Sequence, residues 1–173
     1  MECAHAFARA YVQTSAEPHF TGLADELDDL PPTLAGAVAH LNRLEPEPGF
    51  IHEHFTLEGD EGRRHQRMYF TPENAARIDT ARATLERWRV EERLDDDGFY
   101  LLLTALIDAA DRVANTAGVY AACIKSWQPN ARRALQLRPP RLVPGTGCRA
   151  LRADALPLLA EHEPFELLYL DPP

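Results

Sequence analysis

Two stretches of this sequence carry residue types in arrangements suited to chemistry. The first is Asp171-Pro172-Pro173, a carboxylate and two prolines placed directly after the apolar run Leu167-Leu168-Tyr169-Leu170. An apolar strand that delivers polar groups at its carboxyl end is where open α/β sheets place their reacting groups, and the prolines fix the turn rigidly. The second runs from Arg112 to Arg152. Its 41 residues hold eight cations (Arg112, Lys125, Arg132, Arg133, Arg138, Arg141, Arg149 and Arg152) and not one Asp or Glu. Such a stretch suggests an anion-facing surface, with phosphate as the obvious candidate. The alternative is that these side chains are solvated or pair with the acidic remainder of the chain, and composition does not choose between the two.

Other constellations weigh less. His52-Glu53-His54 puts two imidazoles on one side of a strand, but no third ligand has a defined spacing to them, so no metal site is expected. Asp95-Asp96-Asp97 resembles part of a calcium loop, yet its place before an apolar helix favours capping. Cys3, Cys123 and Cys148 are too few and too scattered for a disulfide framework, Cys123 being a packing residue, and a reducing cytoplasm is the default. Trp88 belongs to a core stripe, whereas Trp127, two residues after Lys125, fits either core or DNA.

The 173 residues allow one domain or part of a larger protein, and 45% hydrophobic content is enough for a real core. The longest uncharged apolar run, Gly98 to Ile107, is half of the roughly 20 residues a membrane helix needs, and no secretory signal opens the chain. The net charge of −9 hides an asymmetry: residues 1–111 carry −12 and residues 153–173 carry −5, around the acid-free stretch of +8. A protein that binds nucleic acid with its whole surface is excluded; one that does so with a single face is not.

The elements that must position these groups are mostly helical. Ala4, Phe7, Ala8, Tyr11 and Val12 repeat at helical spacing, and Pro31-Pro32 closes the loop that follows. Leu34, Val38 and Leu41 predict a short second helix. Gly49 to Tyr69 reads as a loop with little regular structure. Thr71 as N-cap, Pro72 at the first helical position and Glu73 in the first turn open a long helix with Ala75, Ile78, Ala81, Leu85 and Trp88 on one face. Asp95 to Asp97 begin the central helix, whose stripe is Phe99, Leu102, Leu103, Leu106, Ile107, Ala110 and Val113. Beyond Asn115 the signals are a polar turn, Pro139-Pro140, then strand, helix and strand at 148–153, 155–161 and 165–170.

The terminal Asp-Pro-Pro resembles the catalytic motif of the amino-methyltransferases, which reads Asp-Pro-Pro-Tyr in DNA adenine methyltransferases. The run from Asp111 through Asn115, Thr116, Gly118 and Tyr120 to Lys125 and Gln128 is similar to the middle region of D12-class N6-adenine-specific DNA methyltransferases. So are Pro48-Gly49-Phe50-Ile51 and Tyr69-Phe70-Thr71 with Asn74, Ile78 and Asp79; with Asp154-Ala155 the resemblance covers most of residues 46–173. It implies a fold that is mostly α with a small, incomplete α/β edge at the C-terminus, part of a Rossmann-like methyltransferase fold. Residues 1–19 would end the cofactor-binding part, 20–141 form a helical target-recognition region, and 142–173 belong to the methyltransferase sheet.

By the same resemblance, Asp171, Pro172 and Pro173 are catalytic, the Asp171 carboxylate and the Pro172 carbonyl accepting the two N–H groups of an exocyclic amine. Asp154 and Ala155 contact S-adenosyl-L-methionine, and Asn115, Thr116, Gly118, Tyr120, Lys125, Arg132 and Arg133 face duplex DNA. The family's Phe-x-Gly-x-Gly turn has no counterpart, since Phe20-Thr21-Gly22 lacks the second glycine and Gly145-Thr146-Gly147 precedes a strand. The expectation is therefore a partial chain, inactive alone. A non-enzymatic DNA-binding or complementing subunit, an inactive remnant, and an unrelated helical interaction protein are the alternatives.

Overall fold

The computed structural model describes residues 2–59, 67–119, 124–145, 147–161 and 166–169. Its centre is a helical hairpin, α4 (Pro72–Val90) and α5 (Asp96–Val113), in the numbering that makes α1 Glu2–Ala8, α2 Leu34–Arg43, α3 Phe50–Phe55 and α6 Ala155–Glu161. Both long helices start as their sequences dictate. Thr71 accepts from the backbone N–H of Asn74 ahead of Pro72, and Asp95 accepts from that of Gly98 at 2.7 Å. Between them, Arg93 N–H donates to the Trp88 carbonyl and Glu92 N–H to that of Arg89, with Glu92 at φ +54. That double bond around a left-handed residue is the common helix ending in which glycine usually stands, and it turns the chain back within five residues.

Burial follows the α4 stripe: Ala75, Ile78, Ala81, Leu85 and Trp88 are all in the core. On α5 the buried surface is wider than the expected stripe. Leu101, Ala105 and Ala109 are buried beside Phe99, Leu102, Leu106 and Val113, while Leu103, Ile107 and Ala110 are only half-buried. The reason is that α1, α2 and α4 all pack on α5, so more than one of its faces loses water. The same core takes in Ala10, Phe20, Leu23, Leu27, and then Leu135 and Leu137 from the acid-free stretch. No helix of the described residues is long and apolar enough to cross a membrane.

Three expectations need correction. The first helix changes at Arg9–Gln13 into a π-helical turn and ends at Thr14, leaving Val12 exposed. Tyr11 secures that turn by donating to Asp108 Oδ2 at 2.6 Å, and burial together with this bond pushes its hydroxyl up to about 12. Gly49 to Tyr69 is not all loop: α3 forms there because Asp79 of α4 accepts from the backbone N–H groups of Gly49, Ile51 and His52, the orphan donors of a helix start. This also places His52 and His54 on a helix, two residues apart and so on different faces, instead of on one side of a strand. Among the described residues no strand forms. Cys148 to Ala153 are irregular, and of the expected strand at 165–170 the described residues 166–169 are irregular too, with Leu167, Leu168 and Tyr169 exposed. A strand needs a partner edge for its backbone groups, and no such edge exists among these residues, so the expected α/β edge is represented only by α6.

The outer side of the hairpin is tied by charge. Glu26, mostly shielded from solvent, receives Arg87 Nη1 at 3.1 Å and Arg93 Nη1 at 2.6 Å, and Arg93 also reaches Asp25. The hydrogen bond from Arg87 holds the Glu26 carboxyl below the usual range against the opposing effect of burial, with Arg93 adding to it. The folded pKa is thus lower than the unfolded one, so this stabilisation is present in full above the ordinary carboxylate range and is lost as pH falls through the depressed value. Glu26→Gln is expected to cost about 1–3 kcal/mol near neutrality and to flatten the acid side of the stability profile. Urea unfolding of both proteins between about pH 7 and pH 3 checks this, and an unchanged acid limb in the variant would contradict it.

Candidate nucleic-acid interface

The acid-free stretch crosses the helical body as an irregular segment, and side-chain amides hold it there. Asn74, buried in the first turn of α4, accepts the Leu135 N–H at 2.8 Å and donates to the carbonyls of Arg133 at 2.8 Å and Ala131 at 3.3 Å. Asn42 of α2 does the same for Leu137, accepting its N–H at 2.9 Å and donating to its carbonyl at 3.0 Å. Each amide supplies the donor and acceptor that a neighbouring strand would have offered. With their backbone satisfied, Ala131, Leu135 and Leu137 turn inward, and Arg132, Arg133 and Arg138 stand exposed between and beside them.

A second set of amides closes the loop at the end of α5. Asn115 is only 3% exposed. Its N–H donates to the Tyr69 carbonyl at 2.8 Å, its side chain donates to the Ser126 carbonyl at 3.2 Å, and its side-chain oxygen accepts the Gln128 N–H at 3.0 Å. Gln128 returns a bond to the Thr116 carbonyl, and Asn130 donates to that of Ala114 at 3.0 Å. The result is a loop with a fixed base and a solvent-facing course in which Thr116, Gly118 and Lys125 are exposed or half-exposed. Gly118 has φ +69 with open space where a Cβ would lie, so the glycine serves the turn and not close packing.

The expected DNA-facing residues therefore fall into two groups. Thr116, Gly118, Lys125, Arg132 and Arg133 share one end of the hairpin and face solvent, while Asn115 is buried and holds the loop that carries some of them. Trp127 is half-buried. Tyr120, Cys123 and the terminal Asp171, Pro172 and Pro173 lie outside the described residues. Asp154 is exposed and caps α6, its side chain accepting the Leu156 N–H at 3.0 Å, and Ala155 is the first residue of that helix. A cleft of about 530 Å³ lies near, walled by His5, Phe99, Tyr100 and Arg152 among others, but Asp154 does not line it. No group of three His, Cys, Asp or Glu among the described residues is placed to hold a metal.

The charge question left by composition is answered by pairing. Cations of the first 111 residues are engaged: Arg9 with Asp96 and Asp97, Arg43 with Asp29, Arg77 with Glu73, Arg87 and Arg93 with Glu26. Arg82 and Arg89 lie over the rings of Phe50 and Phe99. Among the described residues none of Lys125, Arg132, Arg133, Arg138 and Arg141 joins an ion pair, and all five face solvent. The acidic half has thus neutralised its own cations and left those of the acid-free stretch to solvent.

Asn42, Asn74, Gln128 and Asn130 are positioning residues that the charge pattern does not reveal. The available signal is weak: an asparagine inside a helix is a poor helix former and so hints at a tertiary partner. Asn74→Ala leaves a buried N–H and two carbonyls unsatisfied and is expected to destabilise the chain by about 2–4 kcal/mol. Asn74→Asp should be nearly as damaging, because a carboxylate keeps the bond to Leu135 but faces two carbonyls. Thermal unfolding of both variants, with equal and small losses counting against the clamp, is the check.

No family model and no solved structure matches the chain. Curated proteins do. It is 38% identical over 134 residues to the type II methyltransferase M.NlaIII of Neisseria lactamica, covering 77% of this chain and 39% of that protein. It is 37% identical over 108 residues to the type II methyltransferase M.FokI of Planomicrobium okeanokoites, covering 62% and 17%. It is also 37% identical over 92 residues to the type II methyltransferase M.CviAII of Paramecium bursaria Chlorella virus 1, covering 53% and 26%. The chain spans about two fifths or less of the length of each. Over more than half of its own residues in every one of these alignments, it is homologous to part of a type II methyltransferase.

Proposed function

We propose that this chain is the DNA-contacting portion of an adenine-specific DNA methyltransferase of a restriction-modification system, the reaction being methylation of N6 of adenine in duplex DNA. The observation that carries this reading is the set of exposed, unpaired cations held on amide clamps at one end of the hairpin, in a chain homologous to type II methyltransferases. Phosphates spaced along a duplex suit such a row, since each neutralised phosphate releases condensed counterions without needing a deep pocket. Lys125, Arg132 and Arg133 would fix the duplex on this face. Thr116 and Gly118, on a loop whose base Asn115 holds, and Tyr120 from the same sequence run, would approach the base edges.

S-adenosyl-L-methionine is the methyl donor this reading requires. The described residues alone do not form a pocket for it: Asp154 is exposed, already caps α6 and lines no cleft, so no step is derived through the donor. The part of the reaction assigned to this chain is the acceptor's. The Asp171 carboxylate and the Pro172 carbonyl would accept the two N–H bonds of the adenine amine, drawing its lone pair out of the ring system, and Pro173 would keep the two acceptors at one spacing. Exposure of Leu156, Leu167 and Tyr169 favours the version in which a complementing methyltransferase segment covers this region.

Two measurements test the proposal. Binding of the chain to a duplex oligonucleotide should be weak and should fall steeply with salt, and Lys125→Ala with Arg132→Ala and Arg133→Ala should flatten the log–log slope by about 0.9 for each phosphate no longer neutralised. An unchanged affinity and slope would return these side chains to a merely solvated surface. In a fusion that supplies the remaining methyltransferase segments, Asp171→Ala should lower single-turnover methylation by at least about a hundredfold while DNA affinity is kept. Wild-type turnover in that variant would remove Asp171 from the chemistry.

A further inference from the structure

Phe50, Phe55 and Tyr69 form an aromatic ledge that the fold does not need as core. Phe50 is 52% exposed and Tyr69 38%. The rings touch in sequence, Phe50 to Phe55 at 6.2 Å and Phe55 to Tyr69 at 5.8 Å, with the His54 ring 4.5 Å from Phe50. Arg67 lies over the Phe55 ring and Arg82 over that of Phe50, each at 5.7 Å. Half-exposed aromatics are costly to leave in water, and guanidinium groups resting on them give the patch a positive rim.

The ledge is joined to the amide-clamped cations by short covalent and hydrogen-bonded paths. Phe70 N–H donates to the Phe55 carbonyl at 3.1 Å, and Asn115 N–H donates to the Tyr69 carbonyl at 2.8 Å, so Tyr69 lies between α3 and the base of the Asn115 loop. Five residues after Tyr69, Asn74 grips the backbone of Arg133. Asp79 fixes the start of α3 and hence Phe50 at its first position. The whole assembly is rigidly placed, exposed, aromatic and cationic, and acids are absent from the neighbouring stretch.

Resting on the DNA-contacting reading above, we infer that the Phe50–Tyr69 ledge is a stacking platform for a nucleobase that has left the helical stack, while the arginines of the acid-free stretch hold the phosphates on either side. A base offers a flat π-face that matches exposed rings, and stacking is tolerant of base identity, so no polar pocket is required. Charge complementarity selects nucleic acid over an apolar protein partner: a ledge rimmed by Arg67 and Arg82 and flanked by unpaired cations suits a polyanion that carries aromatic rings.

The experiment uses the whole 173-residue chain and two labelled duplexes of equal length and phosphate count, one fully paired and one with an adenine opposite an abasic site. Wild type should bind the second about tenfold more tightly. Phe50→Leu with Tyr69→Leu should abolish that ratio while leaving the salt slope on the paired duplex unchanged, and Phe50→Trp should preserve the ratio. The triple alanine variant at Lys125, Arg132 and Arg133 should show the reverse, a flatter slope with the ratio kept. If the double leucine variant fails to fold by circular dichroism, Tyr69→Leu alone should still reduce the ratio. A leucine variant that keeps the tenfold ratio, or a wild type that binds both duplexes equally, overturns the platform and leaves the DNA reading standing; a wild type that binds neither overturns both.

Discussion

The bonds between Asn74 and the backbone of residues 131–135 set the arrangement on which the rest depends. An irregular segment crossing a helical hairpin has no ladder to satisfy its N–H and C=O groups, and leaving them buried and unpaired costs more than local packing returns. A buried side-chain amide solves this with one residue, because it donates and accepts at once. Asn42 repeats the device at Leu137 and Asn115 at residues 126 and 128. Once those groups are satisfied, the side chains between the inward anchors are forced outward, and the outward positions are where the arginines stand.

Charge segregation then does at long range what the amides do locally. Glu26, Asp29, Glu73, Asp96 and Asp97 take up Arg87, Arg93, Arg43, Arg77 and Arg9 within the first 111 residues, so the acidic body is internally neutralised along its seams. Most of these pairs are partly exposed and each adds little to stability, but together they occupy the acids that would otherwise compete for the cations of the acid-free stretch. A face of one sign on a body of the other sign orients a polyanion before contact, and it lets a chain of net charge −9 present a cationic surface at one end only.

The hairpin decides which residues meet at that end. α4 begins and α5 finishes there, so Tyr69 before one helix and Asn115 after the other become neighbours although 46 positions separate them. Asp79 brings Phe50 to the same place by capping α3 from the side. Aromatic ledge, loop base and arginine row are thus three products of one helix-to-helix turn, and their relative placement is as rigid as the core formed by Trp88, Leu85, Leu101 and Leu102.

Local rules were enough for the helices whose signals are local. Thr71-Pro72 and Asp95 cap as their types require, the α4 stripe is buried residue for residue, and the acid-free run is visible by counting. The α3 helix was not legible, because its six residues are too short to be stable alone and its start is stabilised by a carboxylate 28 positions away from Ile51. The expected strands failed for the complementary reason: an apolar, β-favouring run is only a strand where another edge receives it, and the described residues provide none. At the interface, sequence placed the cations and tertiary structure decided that they are unpaired. It also converted Asn115 from a surface residue into the buried base of a loop, since an amide's role is set by which backbone groups lie within reach of it and no residue type announces that.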